Sequence, residues 1–296
     1  MPPAITQMNS SLRVTAVISS YNRPDFLRRS LLSYAVQTQP VHEVVIADDG
    51  SSVDVPAGIA DVLPDLPFPV LFVRQPHQVF RLAKCRNNGI REATGAYLIF
   101  SDQDILLFPS YVERIIAHAR AGEFLVGNFE RLDEAATGRI TDDLIRAGRL
   151  QTLISRAGER EVRKQYRKDL WYRVEHALGV RKIATKLRGG VFGAWRSDLV
   201  TVNGLDEEYR GWGAEDDDLG RRLHRAGTVG RNVFREVLAV HMLHPPHRAE
   251  GELPNRDYYA RRVREINAGA FRARHGLYDP LGGDESTRVL LHDPAA

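Results

Sequence analysis

Residues 96–104 read AYLIFSDQD. Five consecutive apolar or aromatic residues form the pattern of a strand buried on both faces, and the strand runs straight into two aspartates separated by one residue. Working back from it, residues 80–94 are helix-compatible and Gly95 stops them. Residues 69–73 and 43–47 (EVVIA) are strands, the latter closed by Asp48-Asp49-Gly50-Ser51-Ser52. Residues 13–19 (RVTAVIS) form a β-branched strand ending at the turn residues Tyr21-Asn22-Arg23-Pro24. Pro24-Asp25 opens a helix whose apolar positions, Phe26, Leu27, Leu31, Leu32 and Ala35, recur at helical spacing to about residue 37. Strands alternating with helices predict an α/β fold with a mostly parallel, doubly wound sheet. Ligands of such sheets bind beyond the carboxyl ends of the strands, so topology places both acidic clusters on one rim.

Beyond the rim the pattern changes. Residues 130–188 are polar, arginine-rich and helix-compatible, which predicts a helical insertion or lid between two halves of the main domain, 1–129 and 189–256. Residues 257–275 read as a surface helix, and from about residue 279 the chain reads as a loose tail, giving a last segment of 257–296.

Composition narrows the function. Apolar residues at 43% and charged residues at 27% are those of a globular protein, and a net charge of +3 is too slight to predict a nucleic-acid partner. Only five of the 41 basic residues are lysine, and arginine's planar fork suits phosphate. No apolar run reaches a membrane span, and MPPAITQMNSS lacks the pattern of a signal peptide. With Cys85 as the single cysteine, the expected location is cytoplasmic and the expected role of that residue is a small buried filler.

Three constellations carry chemistry. Asp102 and Asp104 offer the hard oxygen ligands that Mg²⁺ or Mn²⁺ prefers. The run Gly211-Trp212-Gly213-Ala214-Glu215-Asp216-Asp217-Asp218 opens a helix. Acids suit a helix N-terminus, but four in succession repel one another, and such repulsion raises a carboxylate pKa toward that of a general base. His241 and His244, after an apolar strand, could complete a carboxylate-plus-diphosphate shell.

Together SSYNRP, ADDGSS, RNNGIREATGAYLIFSDQD and GWGAEDDD resemble family 2 glycosyltransferases of the GT-A fold. The second half also resembles a C-terminal region shared with β-1,4-galactosyltransferases and chondroitin-polymerase-type enzymes. The resemblance covers about residues 13–127 and 188–247. It implies an inverting, metal-dependent transferase that uses a nucleotide-sugar, with UDP favoured, and Mn²⁺ or Mg²⁺ as cofactor. By the same resemblance Ser19, Arg23, Asp49, Phe80, Arg86 and Asp102 serve the donor, and Asp104, His244 and His241 the metal. Asp216 is implied as general base with Glu215 gripping hydroxyls. Trp212, Gly213 and Tyr209 are expected around the sugar and acceptor, where a flat apolar ring suits a pyranose.

The acceptor is expected to be a small molecule, a glycan or a lipid head group, and a peripheral membrane contact through Trp171 and Tyr172 stays open. Three rivals remain. A nucleotidylyltransferase would want a glycine-rich loop after the first strand, which SSYNRPD is not. A carbohydrate-binding protein would need no base. A retaining transferase would share the fold.

Overall fold

The computed structural model describes residues 12–236, 238–245, 254–282 and 285–295. The N-terminal stretch read above for a targeting signal lies outside the described residues. In chain order the elements are β1 (Val14–Ser20), α1 (Pro24–Ala35), β2 (Glu43–Asp48), α2 (Val55–Ile59), β3 (Val70–Arg74), α3 (Leu82–Glu92), β4 (Tyr97–Asp102), β5 (Ile105–Leu107) and α4 (Tyr111–His118). There follow β6 (Glu123–Val126), β7 (Glu130–Arg131), α5 (Glu134–Gly138), α6 (Asp142–Arg146), α7 (Arg156–Ala177), β8 (Val191–Trp195) and α8 (Arg196–Thr201). The chain closes with α9 (Glu215–Arg225), β9 (Val229–Asn232), β10 (Ala239–His241), α10 (Arg256–Asn267) and β11 (Thr287–His292).

Eight strands form one twisted sheet in the order β11-β3-β2-β1-β4-β8-β6-β9. β1 pairs in parallel with β2 on one side and with β4 on the other. The chain therefore moves outward from β1 to β3 and returns through α3 to the opposite side of β1. Between β1 and β4 the direction of winding reverses, and a crevice must open at their carboxyl ends. Ser19 lies directly opposite Asp102 in this register, and Ser20 opposite Asp48. β8 runs antiparallel to β4 and β6, so the sheet is mostly, not wholly, parallel.

Alternation along β1 divides the core. Val14, Ala16 and Ile18 pack with Leu27, Leu31 and Leu32 of α1 on one face, and Val17 packs with Ala83, Cys85 and Ile90 of α3 on the other. Gly89 lets α3 settle onto β1, since a Cβ there would stand 2.5 Å from Val17 Cγ1. Cys85 is buried, its thiol against the Ala47 carbonyl oxygen, as a filler should be.

One expectation is corrected. The tail is not loose: β11 adds an antiparallel edge to β3. Four of its six residues are exposed, so it carries no alternation to announce it. The strand before the histidines lies outside the main sheet. β10 joins a separate three-stranded sheet, β5-β10-β7, which hangs from the rim just after Asp104. That small sheet delivers His241 to the residues that follow β4.

Candidate active site

A cleft of about 1510 Å³ opens over the carboxyl ends of β1 and β4. It exceeds the roughly 300–1,000 Å³ typical of a single small-ligand pocket, leaving room for two substrates. Ser19, Asp49, Phe80, Arg86, Asp102 and Asp104 line it from the first half of the chain, and Trp212, Gly213, Glu215, Asp216, His241 and His244 from the second.

One end of the cleft is built around Arg86, which α3 buries completely beside the crevice. Its Nη2 donates to Asp102 Oδ1 at 2.8 Å and to the Gly189 carbonyl at 2.7 Å, and its Nε to Ser19 Oγ at 3.2 Å. Its Nη1 is buried with no hydrogen-bond partner among the described residues. Burial pushes the Asp102 carboxyl up to about 6 against the pull of Arg86. Asp49 accepts from Gln75 Nε2 at 2.5 Å and from the Arg81 backbone N–H at 2.8 Å, so each oxygen keeps one lone pair for a further donor. Arg23 is not among the lining residues. It donates to the Pro245 carbonyl at 2.9 Å, close enough to Asp104 to favour that carboxylate's charge.

Asp104 stands with the histidines. His244 Nε2 lies 2.8 Å from Asp104 Oδ2 and His241 Nε2 3.5 Å from Oδ1. One ligand atom from each residue lies within 4.8 Å of the others, the spacing of a shared cation. Asp104 Oδ1 is buried without a hydrogen-bond donor among the described residues, a cost unless something else completes it. Burial works against the Asp104 charge, but the His244 bond and both imidazoles hold its pKa below the ordinary value. A carboxylate with two imidazoles suits a borderline divalent ion such as Mn²⁺.

The acidic run resolves into two functions. Asp217 pairs with Arg221 at 2.8 Å and Lys186 at 3.5 Å and accepts from the Tyr259 hydroxyl, while Asp218 pairs with buried Arg222 at 2.5 Å. Those two carboxylates are thereby offset, and α9 can start on four acids. Asp217 lines the cleft together with Lys186 and Tyr259, so its charge is already offset there, whereas the first two acids, Glu215 and Asp216, line it without a basic partner of that kind among the described residues. Asp216 accepts from the Gly189 N–H at 2.7 Å through Oδ2. Glu215 is buried and its Oε2 has no partner among the described residues. Burial, then the charge of Asp216, pushes Glu215 up to about 7. The loop feeding α9 takes φ of +72°, +101° and +77° at Gly211, Gly213 and Ala214. Glycine adopts such angles freely, and alanine does so only under constraint. The constraint is visible: Gly211 N–H donates to the Phe80 carbonyl at 2.7 Å and Asn255 Nδ2 to the Gly213 carbonyl at 2.9 Å. Trp212 is thereby held half-exposed at the cleft mouth.

Tyr209 is a correction. Expected on the pocket wall, it is buried, its hydroxyl 3.3 Å from Asp218 Oδ1 and its ring edge-on to Tyr258. It supports α9 from below. Several residues escaped the sequence reading. Gln103, between the two aspartates, donates to the Tyr21 carbonyl and accepts from its N–H, tying the β1 loop to the β4 loop. Gly189 holds both Arg86 and Asp216. The spacing D-Q-D gave the middle residue no role of its own, and a glycine that acts through its backbone leaves no chemical mark.

The buried, partly protonated Glu215 has a consequence for stability. A carboxyl whose folded pKa lies above its unfolded value of 4.5 costs nothing while both states are protonated. The cost grows as pH rises through 4.5 and is complete above about 7. Glu215→Gln is therefore expected to be nearly neutral at pH 4.5 and to stabilise the ligand-free protein by on the order of 2 kcal/mol at pH 8. Urea unfolding at the two pH values checks this, and a difference that does not change with pH refutes it.

The chain belongs to glycosyl transferase family 2, whose model matches residues 15–188. That match runs through residues 130–188, which the resemblance above had left aside. A model described as the N-terminal domain of galactosyltransferase matches residues 171–247. Validoxylamine A glucosyltransferase of Streptomyces hygroscopicus subsp. jinggangensis is 28% identical over 244 residues, 78% of this chain and 56% of that protein. Chondroitin synthase of Escherichia coli is 27% identical over 246 residues, 79% of this chain and 35% of that protein. The chain thus spans little more than half of the one and about a third of the other. Among solved structures, S. aureus TarS 1–349 in complex with UDP-GlcNAc matches with a TM-score of 0.59 at 13% identity, over 90% of this chain and 68% of that one. The mannosyltransferase PcManGT of Pyrobaculum calidifontis, in complex with GDP-Man and Mn²⁺, matches with a TM-score of 0.53 at 16% identity, over 88% and 64%. These likenesses identify the fold as that of GT-A glycosyltransferases.

Proposed function

We propose that this protein transfers a sugar from a nucleoside-diphosphate sugar, with UDP the favoured nucleotide, to an acceptor hydroxyl with inversion at the anomeric carbon. The observation that carries the reading is that one cleft holds both the Asp104–His241–His244 cluster and the Glu215–Asp216 pair. UDP-GlcNAc and GDP-Man in the structurally similar enzymes support the donor class.

Asp104, His241 and His244 would hold a divalent ion, Mn²⁺ or Mg²⁺. That ion would supply positive charge against the departing diphosphate. Everything else falls to the chain. Arg86 offers its unpartnered Nη1 to anionic oxygens at the donor end. Phe80 gives a flat face for a base, and Asp49 a remaining lone pair on each oxygen for ribose or base donors. Asp216 takes the acceptor proton as the acceptor oxygen bonds to the anomeric carbon. The bond from that carbon to the diphosphate breaks on the opposite face, and the diphosphate leaves with the electron pair. One displacement inverts the centre. Glu215 steadies a sugar hydroxyl, and Trp212 closes the mouth against a pyranose face. The buried thiol of Cys85 fits a reducing, cytoplasmic setting.

The test is release of nucleoside diphosphate from a panel of UDP-, GDP- and dTDP-sugars with mixed acceptors. We expect release from one nucleotide class, with Mn²⁺ present, and a fall of about a hundredfold or more in Asp104→Ala. No release from any donor, or full activity in Asp104→Ala, contradicts the reading.

A further inference from the structure

α7 is 22 residues long yet buries one residue, Val162. Its inner side, with Gly158, Glu161 and Gln165, faces the cleft. Its outer side is a single stripe. Arg156, Arg160, Arg163, Arg167, Leu170 with Trp171, Val174 and Leu178 recur at intervals of three and four, which on a helix is one face, and all are exposed. The stripe changes character along its length, with four arginines over the first half and apolar side chains over the second. Trp171 is 62% exposed, Leu178 at the helix end 73% and Val180 just past it 77%. Exposed large apolar groups gathered in this way mark an interaction surface. Tyr172 is not part of it, because the Arg181 guanidinium covers its ring at 3.6 Å.

Charge identifies the partner. Residues 156–182 carry nine Lys or Arg against four Asp or Glu, an excess of five, whereas the whole chain has an excess of three. Three of the four acids pair within the segment, Glu159 with Arg163 at 3.7 Å, Glu161 with Lys164 at 3.6 Å and Glu175 with Arg181 at 3.9 Å, and the excess of five stays unpaired by them. The chain's net positive charge is thus concentrated on this segment. A second copy would present the same excess and be repelled. A nucleic acid would use the arginines and leave Trp171, Val174, Leu178 and Val180 in water. An anionic lipid surface satisfies both halves, with head groups under the arginines and the interface taking tryptophan and leucine.

We propose that α7 docks this protein on an anionic membrane surface, its C-terminal end inserted among the head groups and its arginine half lying over them. The contact is independent of the reaction in the cleft, because none of the stripe residues lines it. The test is cosedimentation with phosphatidylcholine vesicles, with and without about a third phosphatidylglycerol. Two variants accompany the wild type, Trp171→Ser with Leu178→Ser, and Arg160, Arg163 and Arg167 each →Gln. The wild type is expected to bind the anionic vesicles and to release as salt rises. Each variant is expected to lose affinity about tenfold or more while keeping its unfolding midpoint. Three results would overturn the proposal. They are no binding of the wild type to anionic vesicles, binding unchanged in both variants, or a concentration-dependent dimer that the same substitutions dissolve.

Discussion

Asp216→Asn will lower the turnover of sugar transfer by about a thousandfold and leave donor affinity nearly unchanged. The substitution keeps the size of the side chain and removes its capacity to take a proton. The Gly189 N–H, which donates to Asp216 Oδ2, can still meet an amide oxygen, so the loop before β8 should hold its place. The amide cannot satisfy the Asp217 N–H through its second position as the carboxylate does, and the expected structural cost is that one bond. A base acts on the rate and not on the binding of the donor, so the loss belongs in kcat. A loss shared equally by donor affinity would make Asp216 a binding residue. Unchanged turnover would remove it from the reaction.

The second large effect is on stability. Arg222→Ala should cost about 3–5 kcal/mol in urea unfolding, because the guanidinium is wholly buried and its partner cannot leave with it. Arg222 Nε meets Asp218 Oδ2 at 2.5 Å, and Nη1 donates to the carbonyls of Val202 and Gly204 at 2.9 and 2.7 Å. Removing it leaves Asp218 with Arg262 at 3.5 Å and the Tyr209 hydroxyl. The same residues underlie the first turn of α9, from which Glu215 and Asp216 reach the cleft, so transfer should fall along with stability. Replacing both members, as Arg222→Met with Asp218→Leu, is expected to be milder than Arg222→Ala alone. A buried pair exchanged for apolar groups leaves no orphaned charge. A cost below about 1 kcal/mol for Arg222→Ala would mean that this network is solvated.

These two sites show what could be seen in the residues and what could not. β1, β2 and β4 were legible because a strand buried on both faces is apolar almost throughout, and the acids that end such strands must stand on the rim. Imidazole chemistry suggested that His241 and His244 complete a carboxylate's metal shell, but their meeting with Asp104 came from the family resemblance, since the small sheet that delivers β10 leaves no trace in spacing. The acidic run was half legible. Its chemistry pointed to the cleft, yet acidic character alone does not distinguish Glu215 and Asp216 from the two that Arg221 and Arg222 neutralise. Helical spacing does relate Asp217 to Arg221 and Asp218 to Arg222, each four residues apart, and that signal was available. Tyr209 was placed at the pocket only by the resemblance; the left-handed backbone at Gly211 stands between it and Trp212, and its ring lies buried under α9. β11 and the outer stripe of α7 are both exposed, one hidden by its lack of alternation and the other plain once the helix was seen to bury only Val162.

The central claim is that this cleft binds a nucleoside diphosphate through a divalent ion held by Asp104 and the two histidines. Calorimetric titration with UDP, GDP and dTDP, each in Mn²⁺ and again in EDTA, tests it most directly, with Asp104→Ala repeated under the best condition. The account predicts that one diphosphate, with UDP first, binds in Mn²⁺, and that both EDTA and the substitution abolish the heat. Binding that is indifferent to metal and to Asp104, or no binding of any diphosphate, would contradict it.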